Sequence, residues 1–352
     1  MIKDIYYRYP KNFPLPLLLD GSTGRYLMKL GMPSGCSVEK YVLENPEKLI
    51  DIQTKYVSNG SDAVMAPTFT ATRPKLKDHG FNNVIKINTD LVEISKKSGA
   101  KFIGGDMTTT ECFIEPFDTI VEYYAEQVRG LEAGGVDFYM PETNINLNEV
   151  RAAVTAIRSV TDKPIFVTMT IESNGRTMSG DTLFASLLTL AELGINAFGA
   201  NCSTGPEEMF KLLEPIAPYA VGLGIPLIAK PNAGLPDQHE RDAKLFGQYA
   251  EKFLNAGILI IGGCCGTDEC YIAEMKKAID KFDINCLQVD AIDSSDLVCT
   301  NREVCKRSEA DEITVIDSEE FIEDSMFLER PVIINAESEI LNYIKKYYNG
   351  KI

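Results

Sequence analysis

The chain has 352 residues, of which 45% are hydrophobic, and a formal net charge of −16 at neutral pH. This is enough apolar material for a large core, arranged as one big domain plus an extra piece or as two domains. The acidic balance excludes nucleic-acid backbone binding, which needs a basic surface, and no apolar run reaches the ~18 residues of a membrane span.

The start of the chain, Met1-Ile2-Lys3-Asp4-Ile5-Tyr6-Tyr7, lacks the apolar stretch of a signal peptide. Eight short apolar segments then recur, each ending in residues with chemical use. They are Leu17–Asp20, Ala63–Pro67, Phe102–Asp106, Val136–Glu142, Ile165–Thr170, Ala197–Asn201, Leu227–Pro231 and Ile258–Gly263. Their brevity and β-branched content predict buried parallel strands. Amphipathic stretches separate them. Asp118 is placed to cap a helix through Glu132, with Ile120, Tyr124, Val128 and Leu131 on one face and Ala133-Gly134-Gly135 ending it. Pro206 suits the first turn of a helix after Thr204-Gly205, and Thr267 is expected to cap Asp268–Phe282.

Eight strand–helix units over about 285 residues predict an α/β fold of the (β/α)₈ TIM-barrel type, with its active site at the C-terminal strand ends. An open doubly wound sheet is less consistent, since no Gly-rich dinucleotide fingerprint follows the first strand. After residue 285 the rhythm breaks. Glu312–Ile316 and Arg330–Ile334 read as strands and Glu337–Tyr348 as a helix, giving a small α+β appendage. The expected division is therefore 1–285 for the barrel and 286–352 for the appendage. That last segment carries 15 acidic against 7 basic residues, the pattern of a solvated face or of a docking face for a basic partner.

Of nine cysteines, none shows compact disulfide spacing, so a reducing cytoplasm is the expected setting. Cys264 and Cys265 stand between glycines in Gly262-Gly263-Cys264-Cys265-Gly266-Thr267, and Cys202 holds the matching strand end in Gly199-Ala200-Asn201-Cys202. Taken alone, Cys202 reads as an ordinary buried thiol. Together, three thiolates with no C-x₂-C pairing suit a catalytic zinc with one coordination position left for substrate. The surrounding glycines would let the backbone bend so that two consecutive side chains reach one ion. Such a site suits binding an incoming thiol and keeping it as a nucleophilic thiolate. Cys36, Cys112, Cys270, Cys286, Cys299 and Cys305 read as structural, and neither His79 nor His239 has ligand spacing.

A second constellation accompanies the thiols. The turn Asp20-Gly21-Ser22-Thr23-Gly24 offers backbone N–H groups to a carboxylate, while Asp20 and Glu142 offer negative charge to an ammonium. Taken alone, Asp20 is equally a turn residue and Glu142 a strand-end ion pair. An amino acid bearing a thiol satisfies both constellations.

From Leu17 to Phe282 the chain resembles the homocysteine S-methyltransferases, most closely the homocysteine-binding barrel of cobalamin-dependent methionine synthase. The resemblance rests on Asp20–Gly24, Ala66-Pro67-Thr68-Phe69, Pro141-Glu142-Thr143, Gly175–Gly180, Gly199–Cys202, Lys230–Pro236 and Gly262–Thr267. It implies a zinc enzyme with Cys202, Cys264 and Cys265 as ligands, with Asp20, Gly21, Ser22, Thr23, Gly24, Glu142, Asn201 and Asn232 binding homocysteine, and with Asn232 touching the metal region when substrate is absent. The implied reaction is methyl transfer to homocysteine, giving methionine, with methylcobalamin on a separate corrinoid protein as donor. A sulfonium such as S-methylmethionine, or betaine, is the alternative donor, and a non-catalytic partner of a corrinoid protein is a further reading. The absence of tryptophan removes the strongest cage for a quaternary ammonium. Arg25 departs from the family pattern and is expected to alter donor access. A zinc lyase or aldolase would ask for a histidine ligand, which the pattern lacks. The sequence leaves homo-oligomer formation open.

Overall fold

A computed structural model describes residues 2–234, 241–325, 328 and 330–352. Eight parallel strands form the core: β1 (Leu17–Leu18), β2 (Ala63–Ala66), β3 (Phe102–Met107), β4 (Phe138–Pro141), β5 (Phe166–Met169), β6 (Ala197–Asn201), β7 (Leu227–Lys230) and β8 (Ile260–Ile261). Ladder pairing runs β2-β3-β4 and β5-β6-β7-β8-β1. Bridges at Tyr139–Ile165 and Asn144–Met169 join β4 to β5, and the Asp62 N–H donates to the Leu18 carbonyl at 2.8 Å between β1 and β2. The ring is thus continuous in hydrogen bonds, and the fold is the α/β TIM barrel that the eight apolar runs predict.

The strands are apolar on both faces because helices cover the outside while side chains fill the inside. The N-terminal segment seals the end of the barrel away from the site. Phe13 stacks on Phe102 with ring centroids 4.2 Å apart and meets Phe138 and Phe166 edge-on at 5.8 and 5.7 Å. Those three rings begin β3, β4 and β5, so one side chain closes three strands.

Two expected helix caps differ. The helix Phe117–Gly134 buries Ile120, Tyr124, Val128 and Leu131 and ends at Gly135 with φ +77°, as the sequence suggests. It starts after Pro116, however, and Asp118 accepts from Tyr347 and pairs with Lys346 of the appendage instead of capping. The helix Glu269–Lys281 is capped by Asp268, whose carboxylate accepts from Cys270 N–H. Thr267 turns its hydroxyl to the Cys264 carbonyl at 2.7 Å and braces the cysteine turn. Pro206 does open its helix, Pro206–Leu213.

The appendage contains the two expected strands, β11 (Asp311–Thr314) and β12 (Val332–Asn335), which pair in parallel, and the expected helix, Ser338–Tyr347. It also has an antiparallel pair, β9 (Leu297–Cys299) and β10 (Val304–Lys306), and a helix Ser318–Ser325. Val315, Phe321, Val332, Ile334, Ile344 and Tyr348 form its own small core. Cys299 packs on Ala185 and Leu188 of a barrel helix, Leu183–Glu192. Arg151, fully buried in the helix Leu147–Val160, donates to the carbonyls of Lys345, Lys346 and Tyr347 and to Asn349 Oδ1 at 2.8–3.3 Å. A barrel arginine therefore satisfies the carbonyls that the last helix leaves open at its end.

Candidate active site

The two cysteine turns face each other across the loop that follows β7. Cys202 follows β6, and its N–H donates to the Lys230 carbonyl at 3.1 Å. Cys264 N–H donates to the Pro231 carbonyl at 3.0 Å, and the Cys265 carbonyl accepts from Ala233 N–H at 2.9 Å. The turn bends where Gly266 adopts φ +85°, a left-handed conformation that favours glycine. Gly262 serves close packing, not the bend: a Cβ there would lie 2.8 Å from Leu19 Cβ. Cys202 and Ser203 are themselves left-handed, at φ +60° and +54°, so strain is stored beside the first thiol.

The sulfurs of Cys202, Cys264 and Cys265 all lie within 4.8 Å of one another, with Cys202 and Cys265 4.0 Å apart. Tetrahedral zinc with bonds of ~2.3 Å sets its sulfurs roughly 3.8 Å apart, so the trio fits that ion with little movement. No other cluster of metal-ligating side chains with this closeness occurs among the described residues. The three thiols share protons: hydrogen bonds from Cys264 and Cys265 pull Cys202 below its ordinary value, and bonding to Cys202 pushes both donors up. Without a cation the cluster therefore favours one thiolate, on Cys202, held by two protonated thiols. Two asparagines orient it. Asn232 Nδ2 donates to Cys202 Sγ at 3.6 Å, and Asn201 Nδ2 approaches Cys264 Sγ at 3.8 Å. Asn201 Oδ1 is fixed by Thr143 N–H and Thr168 Oγ1, each at 2.9 Å.

A cavity of about 400 Å³ opens over the sulfurs. Asp20, Gly21, Ser22, Thr23, Gly24 and Glu142 all line it, while Asn201 and Asn232 sit behind the thiols. The Gly21–Gly24 turn does not offer all its amides, since Ser22 N–H already donates to the Thr267 carbonyl at 3.3 Å. Glu142 is paired with the buried Lys230 ammonium. Asp20 Oδ2 accepts from Met65 N–H at 2.8 Å, but Oδ1 is buried without a partner among the described residues. Burial pushes its carboxyl up to about 7, with Lys230 and the Met65 N–H opposing.

Sequence reasoning passed over several residues of this cavity as site residues, two of them charged ends of strand runs. Asp106, at the end region of β3, is buried with an unpartnered Oδ1, and burial holds it well above the carboxylate range, with Glu142 adding to that. Lys230 closes β7 and neutralises Glu142. Both were visible as charged residues ending an apolar strand run. Arg25 also lines the cavity, where its guanidinium donates to the Gly234 carbonyl and ties the first loop to the β7 loop. His239, Leu235 and Pro236 lie outside the described residues.

The sequence model of the family described as "Homocysteine S-methyltransferase" matches residues 17–279, the barrel with its cysteine turns. The chain belongs to the homocysteine S-methyltransferase family. The fold is shared with solved structures. The homocysteine methyltransferase MmuM from Escherichia coli in its oxidized form superposes with TM-score 0.65 at 21% identity, covering 74% of this chain and 95% of MmuM. Its metallated form gives TM-score 0.63 at 22% identity over the same shares. A methyltransferase from Methanosarcina mazei gives 0.52 at 12%, covering 80% of this chain and 97% of that protein. No helix among the described residues is long and apolar enough to cross a membrane.

Proposed function

We propose that this chain is a zinc-dependent methyltransferase that moves a methyl group to the thiol of homocysteine and yields methionine. The observation that carries the reading is the sulfur trio at the floor of a cavity that also holds an unpartnered carboxylate oxygen. Cys202, Cys264 and Cys265 would hold the ion. Bound zinc supplies one thing, a fourth position at which an incoming thiol loses its proton near neutral pH and stays nucleophilic.

The chain's own residues would do the rest. Asp20 receives the substrate ammonium on its free Oδ1, while Gly21, Thr23 and Gly24 approach the substrate carboxylate. Glu142, neutralised by Lys230, shapes the field around that ammonium more than it contacts it. Asn232 and Asn201 orient the sulfur ligands. The substrate sulfur then forms its bond to the methyl carbon as the donor's bond breaks, the electron pair leaving with the donor. Alignment of sulfur, carbon and leaving group is the main catalytic contribution of the protein.

The donor read from the sequence is methylcobalamin on a separate corrinoid protein. The alternative donor is a sulfonium such as S-methylmethionine, or betaine. The test is methionine formation from homocysteine with S-methylmethionine, with betaine, and with a methylated corrinoid protein. No methionine with any donor would sink the enzyme reading and leave the non-catalytic partner reading in its place.

A further inference from the structure

A second cavity, of about 410 Å³, lies between the barrel loops and the appendage and shares no lining residue with the cysteine cavity. Its size falls in the range of small-molecule sites. The barrel side presents Phe113 and Phe117 from the β3 loop and following helix, and Asn148 beyond β4. The appendage side presents Arg302 in the β9–β10 turn and Tyr347 and Asn349 at the end of the last helix.

The cavity is a fixed feature, because its walls are pinned to one another. Arg151 anchors the end of the last helix. Asn301 accepts from Thr182 N–H at 2.9 Å and donates to Asp181 Oδ1 at 2.6 Å. Phe117 meets Tyr347 edge-on at 5.5 Å.

Arg302 is the chemical signal. Its exposed guanidinium borders the cavity beside Gly180, where its charge acts on Asp181 without forming an ion pair among the described residues. The acid near it, Asp181, already accepts from Asn301, Leu147 N–H and Thr177. Asn349 has its Oδ1 held by Arg151, so its amide N–H groups are what remain for a ligand. A free guanidinium, amide donors and aromatic walls select negative charge at one end of a ligand and a flat apolar body at the other.

We propose that this cavity is a binding site for a small aromatic organic anion, a carboxylate or phosphate ester, separate from the methyl-transfer site. Arg302 holds the anionic group and Phe113, Phe117 and Tyr347 enclose the ring. The site also touches the catalytic loop. Asn146 and Asn148 line this cavity, while Glu142 and Thr143, three to six residues earlier, line the other.

The test is calorimetric titration of the full-length chain with benzoate, phenyl phosphate, inorganic phosphate and benzyl alcohol. Benzoate or phenyl phosphate should bind saturably at one site per chain. Arg302→Gln should weaken that binding by about tenfold or more, the share of one charge-assisted hydrogen bond. Phe113→Ala, at a half-exposed position, should weaken it too. Full-length Cys264→Ser, which disables the proposed metal site, should bind these probes unchanged, so this site stands or falls apart from the methyl-transfer reading. Four results would overturn the proposal: no saturable binding of either aromatic anion, equal binding of benzyl alcohol or of inorganic phosphate, an Arg302→Gln variant that binds normally, or binding lost in Cys264→Ser.

Discussion

Asp20 offers a sharp test because its burial has a number attached. Raising a carboxyl from 3.8 to about 7 makes its ionisation about 4 kcal/mol harder than in water. The sign for the free protein follows. Between the two values the folded state holds a proton that the unfolded chain has released, so this group's contribution to stability falls as pH rises through that window. A substrate ammonium on Oδ1 reverses the balance, because it stabilises the ionised form. Amino-acid binding must then expel the proton. Methionine is the cleaner ligand, since it has no thiol to titrate. Its affinity should fall about tenfold for each pH unit below 7 and level off above it. Titration in buffers of different ionisation heat should count close to one proton released well below pH 7 and close to none well above it. Asp20→Asn should remove both effects while leaving zinc content intact. An affinity that does not change from pH 5.5 to 8, or an Asp20→Asn variant that keeps the slope, would refute the placement of the ammonium.

Two further outcomes are expected. Glu142→Ala leaves the buried Lys230 without its ion-pair partner, so thermal unfolding should show a loss of about 3–5 kcal/mol, amino-acid binding should weaken, and zinc should stay bound. Loss of zinc in that variant would mean that Glu142 belongs to the metal site. Arg151→Met removes the donors that close the last helix, and hydrogen exchange should rise across 338–349 while the barrel strands stay protected. Unchanged exchange there would show that Cys299 and the appendage core suffice to hold it.

Much of the fold was legible because barrel strands are local signals. Runs such as Leu227-Ile228-Ala229 and Ile258–Ile261 are apolar throughout, as only strands buried on both faces need to be. The cysteine pair was legible for a related reason: glycines on both sides are rarely spent on a plain buried thiol. What stayed hidden depends on residues far apart in the chain. The pairing of Lys230 with Glu142 spans 88 positions, and Arg151 reaches residues almost 200 positions away. Neither leaves a trace in local pattern. Competition between neighbours also misled. Thr267 and Asp268 are both good helix caps, and the carboxylate took the cap while the hydroxyl served the Cys264 carbonyl. The β9–β10 pair was missed because Leu297–Cys299 and Val304–Lys306 are too short to show alternation.

The account stands most directly on metal content. Purified protein should carry one zinc per chain, and serine in place of Cys202, Cys264 or Cys265 should strip it in each case, together with methyl transfer to homocysteine. Stoichiometric zinc retained in all three variants would contradict the account.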